Sequence, residues 1–228
     1  MSMSKVKALF ALKYGESTIP ESWAFLGGDA EKRIPISFTV YLIETETRKI
    51  LVDAGCDTMP GFEMEHFVSP VEILSRAGYS PKDITDVILT HAHHDHIEAV
   101  HYFENAAIHI QSLEYEASQK KYKYIPEGFD VRLFDETAEV EGVVARCVAG
   151  HAKGSCIVEF EFCGKAYVIS GDECYSRRCL TERIPTGSSK NPENSRAFVE
   201  KYGDEKYTVL LCHDPEILPG QNGVLKIF

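Results

Sequence analysis

The chain has 228 residues, of which 44% are hydrophobic and 26% charged. Those proportions exclude a disordered, collagen-like or low-complexity chain, and the length allows a buried core without disulfide or metal staples. Thirty-five acidic against 24 basic side chains leave a net charge of −11, which argues against the basic footprint of a nucleic-acid binder and against docking onto anionic lipid.

In chain order, Val6 to Tyr14 reads as a strand and residues 15–34 as a loop. Ile36 to Glu44, rich in β-branched and aromatic residues, predicts a second strand, with Lys49 to Asp53 as its hairpin partner. Pro70 to Arg76 predicts a short helix stopped by Gly78. Asp86 to Thr90 is a short apolar strand, followed by His91-Ala92-His93-His94-Asp95-His96 and a predicted helix over 97–103. Ala107 to Ile110 predicts a strand and Leu113 to Lys121 a helix. Strands at 131–134, 138–140 and 143–148 precede a hairpin of 155–162 with 166–170, a helix over 194–202 and a last strand at 207–212. Strands in hairpins with helices interspersed point to an α+β chain of mixed sheets covered by helices, not a doubly wound parallel sheet. No repeat and no Gly/Ser/Pro linker divides it, so one domain over 1–228 is expected.

Seven Cys lie scattered from 56 to 212 with no C-x-x-C pair. That set suits a reducing compartment better than a secreted disulfide scaffold. No apolar run approaches the ~18 residues of a membrane span. The five apolar residues of Ala8 to Leu12 are fewer than the ~7–15 of a signal-peptide core. The expectation is a cytoplasmic protein without a membrane segment.

The histidines carry the chemistry. Four of the nine fall in residues 91–96, where a strand gives way to a loop, a usual place for a site. An extended backbone has a period of two, so 91, 93 and 95 would share a side, His94 would lie opposite, and His96 would join if the chain turned after Asp95. Imidazole with carboxylate suits zinc or iron(II) rather than calcium or magnesium. A metal needs ligands from further segments. His151 in a Gly-flanked turn, Asp172 after a strand-like run and His213 after the last strand are the candidates. The run from Gly150 to Ser155 has the wrong spacing for a phosphate loop, which needs Gly-x-x-x-x-Gly-Lys-Ser/Thr.

His91-x-His93-x-Asp95-His96 followed by His151, Asp172 and His213 resembles, in order and interval, the metallo-β-lactamase superfamily of binuclear metal hydrolases. The resemblance covers nearly the whole chain. It implies a four-layer αβ/βα sandwich of two mixed sheets flanked by helices. It implies two Zn(2+) ions, or Fe, Mn or Co in their place. One would sit on His91, His93 and His151, the other on Asp95, His96 and His213, with Asp172 between them. Asp53 in Leu-Val-Asp-Ala-Gly matches a residue that braces a ligand.

Within the superfamily the chain looks most like the N-acyl homoserine lactonases, which are quorum-quenching enzymes. Tyr175 follows Asp172 at the lactonase Asp-x-x-Tyr spacing, and residues 77–84 and 41–45 are similar to theirs. Ile97-Glu98-Ala99 and Val148-Ala149-Gly150-His151 depart from the lactonase pattern. The zinc β-lactamases lack the equivalent of His96, and the diiron flavoproteins carry Glu where this chain has His93.

The resemblance implies attack of a metal-bridging hydroxide on the carbonyl of a small-molecule lactone or related ester. Tyr175 would donate to the oxyanion, Asp172 would help protonate the leaving oxygen, and Asp95 completes the predicted catalytic set. Glyoxalase II-type thioester hydrolysis and phosphodiester hydrolysis are the alternatives on the same fold. A non-catalytic metal binder is a third. Lys153, Arg177 and Arg178 are candidates for recognising an anionic substrate, and residues 115–124 for a lid. No nucleic-acid or membrane partner is expected, and the chain would be a monomer or homodimer.

Overall fold

The structure is a computed structural model that describes residues 5–58, 61, 63–121, 123–217 and 223–228. The first sheet is built on β1 (Ala8–Pro20) and β2 (Arg33–Glu44), joined through α1 (Glu21–Ala24), with β3 (Lys49–Val52) antiparallel to β2. Next come α2 (Pro70–Arg76), β4 (Asp86–Leu89), α3 (His94–Ile97), β5 (Ala107–Gln111), α4 (Ser112–Lys121) and β6 (Asp130–Phe134). β3, β4, β5 and β6 run parallel. The second sheet takes β7 (Thr137–Val140), β8 (Val143–Cys147), β9 (Cys156–Phe162) and β10 (Lys165–Ile169), then α5 (Arg177–Thr181), α6 (Pro192–Tyr202) and β11 (Tyr207–Leu210). β12 (Val224–Lys226) returns to the edge of the first sheet. The spatial orders are β12-β1-β2-β3-β4-β5-β6 and β11-β10-β9-β8-β7, each mixing parallel and antiparallel pairs.

Alternation along the strands explains the layering. On β1, Leu9 and Ala11 enter one apolar cluster while Phe10, Leu12 and Tyr14 enter the other. β2 does the same with Tyr41 and Ile43 against Phe38, Val40 and Leu42. The first set meets Val143, Ala145, Val158 and Ile169 of the second sheet. The outward set of the first sheet meets Ile73 and Leu74 of α2, and the outward residues Val168 and Val209 of the second sheet share a cluster with Phe198 and Val199 of α6. Helix, sheet, sheet and helix are thus stacked in four layers.

α2 has the sequence of a capped helix. Ser69 accepts from Val71 N at 3.2 Å, Pro70 opens the first turn, and Glu72 pairs with Arg76 at 2.6 Å.

Three differences from the sequence-based expectation have local causes. β1 continues through Gly15 to Pro20, because one extra residue at Tyr14 is absorbed as a bulge between Lys13 and Gly15. That bulge carries the Tyr14 hydroxyl to the backbone oxygen of Asp95 at 2.6 Å. The helix after the histidines starts at His94 rather than at 97, and continues as a 3₁₀ turn over Glu98–Tyr102. α1, α5 and β12 are further elements, each of five residues or fewer. No helix among the described residues is long and apolar enough to cross a membrane. All seven cysteines are free thiols.

Candidate metal centre

Five strand ends converge on one edge of the sandwich. Asp53 follows β3, the 91–96 segment follows β4, the 148–155 turn joins β8 to β9, Asp172 follows β10, and His213 follows β11. The convergence yields two groups of donor atoms. His91, His93, His151 and Asp172 each offer one atom, all within 4.8 Å of one another, and so do Asp95, His96 and His213.

Asp172 stands between the groups. Its Oδ2 lies 3.3 Å from His151 Nε2 and 3.8 Å from His91 Nε2. Its Oδ1 lies 3.0 Å from His213 Nε2 and 2.9 Å from His96 Nε2. Asp95 Oδ2 approaches His96 and His213 at 3.6 and 3.7 Å. All seven residues expected from the sequence are therefore brought together. The chain turns two residues earlier than expected, after His93 rather than Asp95, and this splits the segment: His91 and His93 join one group, Asp95 and His96 the other.

The donor atoms fit cations better than one another. His93 Nδ1 has the Nε2 atoms of both His91 and His151 at 2.9 Å. Three ring nitrogens so close cannot all be paired by protons. His96 Nε2 is buried and makes no hydrogen bond, although Asp172 Oδ1 is near. An orphaned nitrogen in a polar nest calls for an ion.

The remaining ring nitrogens are braced. His96 Nδ1 meets Asp53 Oδ2 at 2.7 Å, and Asp53 also accepts from Thr90 N and Oγ1 at 2.7 and 2.9 Å. Asp53 does so from a left-handed backbone with φ 62°, a strained state for a non-Gly residue that functional sites tolerate. His213 Nδ1 meets the Ser37 carbonyl at 2.8 Å.

A family model described as the metallo-beta-lactamase superfamily matches residues 37–213. The chain belongs to that superfamily. It is a metal-dependent hydrolase of the metallo-β-lactamase fold and is similar to N-acyl homoserine lactonases. One such lactonase, from Bacillus cereus, is 31% identical over 202 residues, covering 77% of this chain and 80% of the relative. Another, from Bacillus thuringiensis, is 26% identical over 238 residues, covering 92% and 94%. A solved structure of a quorum-quenching N-acyl homoserine lactone lactonase superposes with a TM-score of 0.83 at 24% identity, over 96% of both chains, and so shares the fold.

In this metallo-β-lactamase member the electrostatics of the two groups differ. Burial, reinforced by the His96 and His93 rings, pushes His91 well below the ordinary imidazole value. Burial likewise takes His151 down to about 4. Both are neutral at pH 7, with lone pairs free to ligate. Burial also opposes charge on His96, but Asp172, Asp53 and Asp95 outweigh it and raise its value well above the ordinary one. His213 is raised in the same way, chiefly by Asp172. At those nitrogens a proton and a metal ion compete. Burial of Asp172 is outweighed by His213, His96, His151 and His91, which hold its carboxyl well below the usual range.

Tyr175 lines the site. Its hydroxyl donates to Asp172 Oδ2 at 2.8 Å and its ring stacks on His213, with centroids 4.8 Å apart. Burial, then the Asp172 charge, pushes the phenol well above its ordinary value, so it stays a donor. A cavity of about 1370 Å³ opens over these groups. Ile19, Trp23, Ile36 and Phe38 form an apolar part of its lining; His94, Glu98, His101, Lys123 and Tyr124 form a polar part.

Lys153, Arg177 and Arg178 do not line this cavity. Arg178 pairs instead with Glu21 and Glu182, both at 3.0 Å. Among the described residues the lysines that line it are Lys123, from the 115–124 segment expected as a lid, and Lys190, which no sequence signal singled out. Within the 115–124 segment, Ala117, Lys123 and Tyr124 contribute wall; Tyr122 lies outside the described residues. His94, expected to face away from the ligands, reaches Tyr124 OH at 3.0 Å and Thr58 Oγ1 at 2.9 Å.

Proposed function

We propose that the chain is a binuclear hydrolase that opens an N-acyl homoserine lactone or a related small ester, acting as a single domain over residues 1–228 with two zinc ions. His91, His93 and His151 would hold one, Asp95, His96 and His213 the other, and Asp172 both. The observation that carries this reading is the two-sided placement of Asp172, with Oδ2 toward one group of histidines and Oδ1 toward the other. Two bound divalent metals would supply Lewis acidity and lower the pKa of a water to about 7.

The chain's own residues do the rest. Neutral His91 and His151 present lone pairs without first losing a proton. The Tyr175 hydroxyl, protonated at neutral pH and aimed at the junction, is placed to donate to a carbonyl oxygen as it gains charge. Asp172, ionised at neutral pH and beside that hydroxyl, is placed to take the proton that the attacking water gives up and to pass it to the departing ester oxygen. Asp95 adds a second carboxylate at the cavity face. The apolar lining of Ile19, Trp23, Ile36 and Phe38 suits an acyl chain, and the similarity to lactonases supports the homoserine lactone head.

The test is a panel assay of the zinc-loaded protein with acyl homoserine lactones, a glutathione thioester and a chromogenic phosphodiester. Lactone opening should have the highest kcat/KM. A preference for either other substrate would reject the lactone assignment, and turnover of none at full metal loading would reject the enzymatic one.

A further inference from the structure

The turn that carries His151 is held by two buried carboxylates from other elements. Glu114 on α4 is 4% exposed. Its Oε2 accepts from Ala92 N at 2.9 Å and its Oε1 from Gly154 N at 2.8 Å. Ala92 lies between His91 and His93, and Gly154 lies in the His151 turn. Glu173, fully buried, follows Asp172. Its Oε1 accepts from Gly150 N at 3.1 Å, His151 N at 3.0 Å and Ser155 Oγ at 2.5 Å, and its Oε2 from Ser195 Oγ at 3.2 Å. A buried carboxylate is costly unless its oxygens are bonded, and here the partners are backbone N–H groups and hydroxyls. Both side chains spend that cost on fixing backbone next to metal-site residues.

The glycines of Gly150-His-Ala-Lys-Gly154 follow from this arrangement. A Cβ at 150 would come within 2.1 Å of Glu173 Oε2 and 2.4 Å of Ser195 Oγ. One at 154 would meet Gln111 Oε1 at 2.1 Å and Glu114 Cγ at 3.2 Å. Neither glycine has a left-handed φ, so the demand is for space. The motif that superficially resembles a phosphate loop is instead a turn whose two glycines leave room for Glu173 at one end and for Gln111 beside Glu114 at the other.

We propose that Glu114 and Glu173 are positioning residues that set the spacing of His91, His93 and His151, and through it the affinity for the metal those three would hold. The proposal rests on the metal-centre reading above. The other group is braced differently, through Asp53 on His96 and the Ser37 carbonyl on His213, so the effect should be one-sided.

The experiment loads wild type, Glu114→Gln and Glu173→Gln with zinc and titrates each with a chelator, following released zinc and far-UV circular dichroism. A glutamine keeps the size; at 114 it turns an NH₂ toward Ala92 N or Gly154 N, and at 173, where the NH₂ can face Ser195 Oγ, it replaces the charged acceptor of Gly150 N and His151 N with a weaker neutral one. Expected is a loss of about 10–100-fold in affinity for one zinc equivalent, with the second equivalent and the metal-free fold unchanged. Wild-type zinc retention would overturn the proposal. So would equal weakening of both equivalents together with a lower metal-free melting temperature, which marks general destabilisation. Should the glutamine variants fail to fold, Gly150→Ala keeps every charge and displaces Glu173 by contact alone. The same one-sided loss supports the proposal, and unchanged affinity overturns it. A wild-type protein that binds no zinc would instead reject the metal-centre reading itself.

Discussion

Asp172 and Tyr175 show how much chemistry rests on single contacts. The Tyr175 hydroxyl sits 2.8 Å from Asp172 Oδ2 and its ring lies on His213. Tyr175→Phe keeps the stack and removes the donor, so turnover should fall by about 100–1,000-fold, the usual scale for loss of one oxyanion donor, with zinc content unchanged. Asp53→Asn acts on a different step. The amide would turn an N–H toward His96 Nδ1, now 2.7 Å from a carboxylate oxygen, and favour the tautomer with a proton on Nε2. Zinc affinity should drop by about 10–100-fold, which chelator competition would read; an unaltered affinity would mean that Asp53 only supports the fold. The seven clustered residues and Asp53 were legible because imidazole and carboxylate are dense in His91–His96 and recur after later strands. Glu114 and Glu173 were not. A glutamate in a polar helix, or next to an Asp, reads as surface, and the sign of its burial lies in glycines 40 and 23 residues away.

Elements deliver these side chains, and their ends hold buried polar contacts of their own. Asp86 opens β4 with its carboxylate buried, accepting from His109 Nε2 at 2.9 Å and Thr85 Oγ1 at 2.8 Å, with Arg48 at 3.5 Å. Burial raises its carboxyl, but the His109 and Thr85 bonds and the Arg48 charge outweigh that and hold it below the usual range. The unfolded chain then binds the proton more readily. This stabilisation is complete above about pH 4 and lost as pH falls through the lower native value. Between about pH 6 and 3, denaturant titrations of wild type should lose more stability than those of Asp86→Asn; parallel losses would show that the carboxylate is not the source. Hairpins and capped helices were readable from alternation, Pro and Gly. The far half of β1 was not, because Gly15 and the polar run Glu16-Ser17-Thr18 look like a loop. Its strand state is imposed by pairing with Arg33–Phe38 of β2, a contact between distant positions.

At the scale of the whole molecule, two sheets bring five strand ends to one edge, so residues from Asp53 to His213 meet in a volume that no local segment could build. Helices on the outer faces leave that edge open to a cavity of about 1370 Å³. The α+β class and the layered sandwich followed from the hairpin pattern and the family resemblance. The apolar wall from Ile19 and Trp23 did not, since both fall in the 15–34 stretch that reads as a loop. We propose that ester opening requires two cations, which Asp172 would hold together. Zinc added back to the stripped protein, with lactone hydrolysis followed at each step, is the test. Activity should start near zero and level off at two zinc per chain; full activity without metal, or a plateau at one zinc, would contradict it.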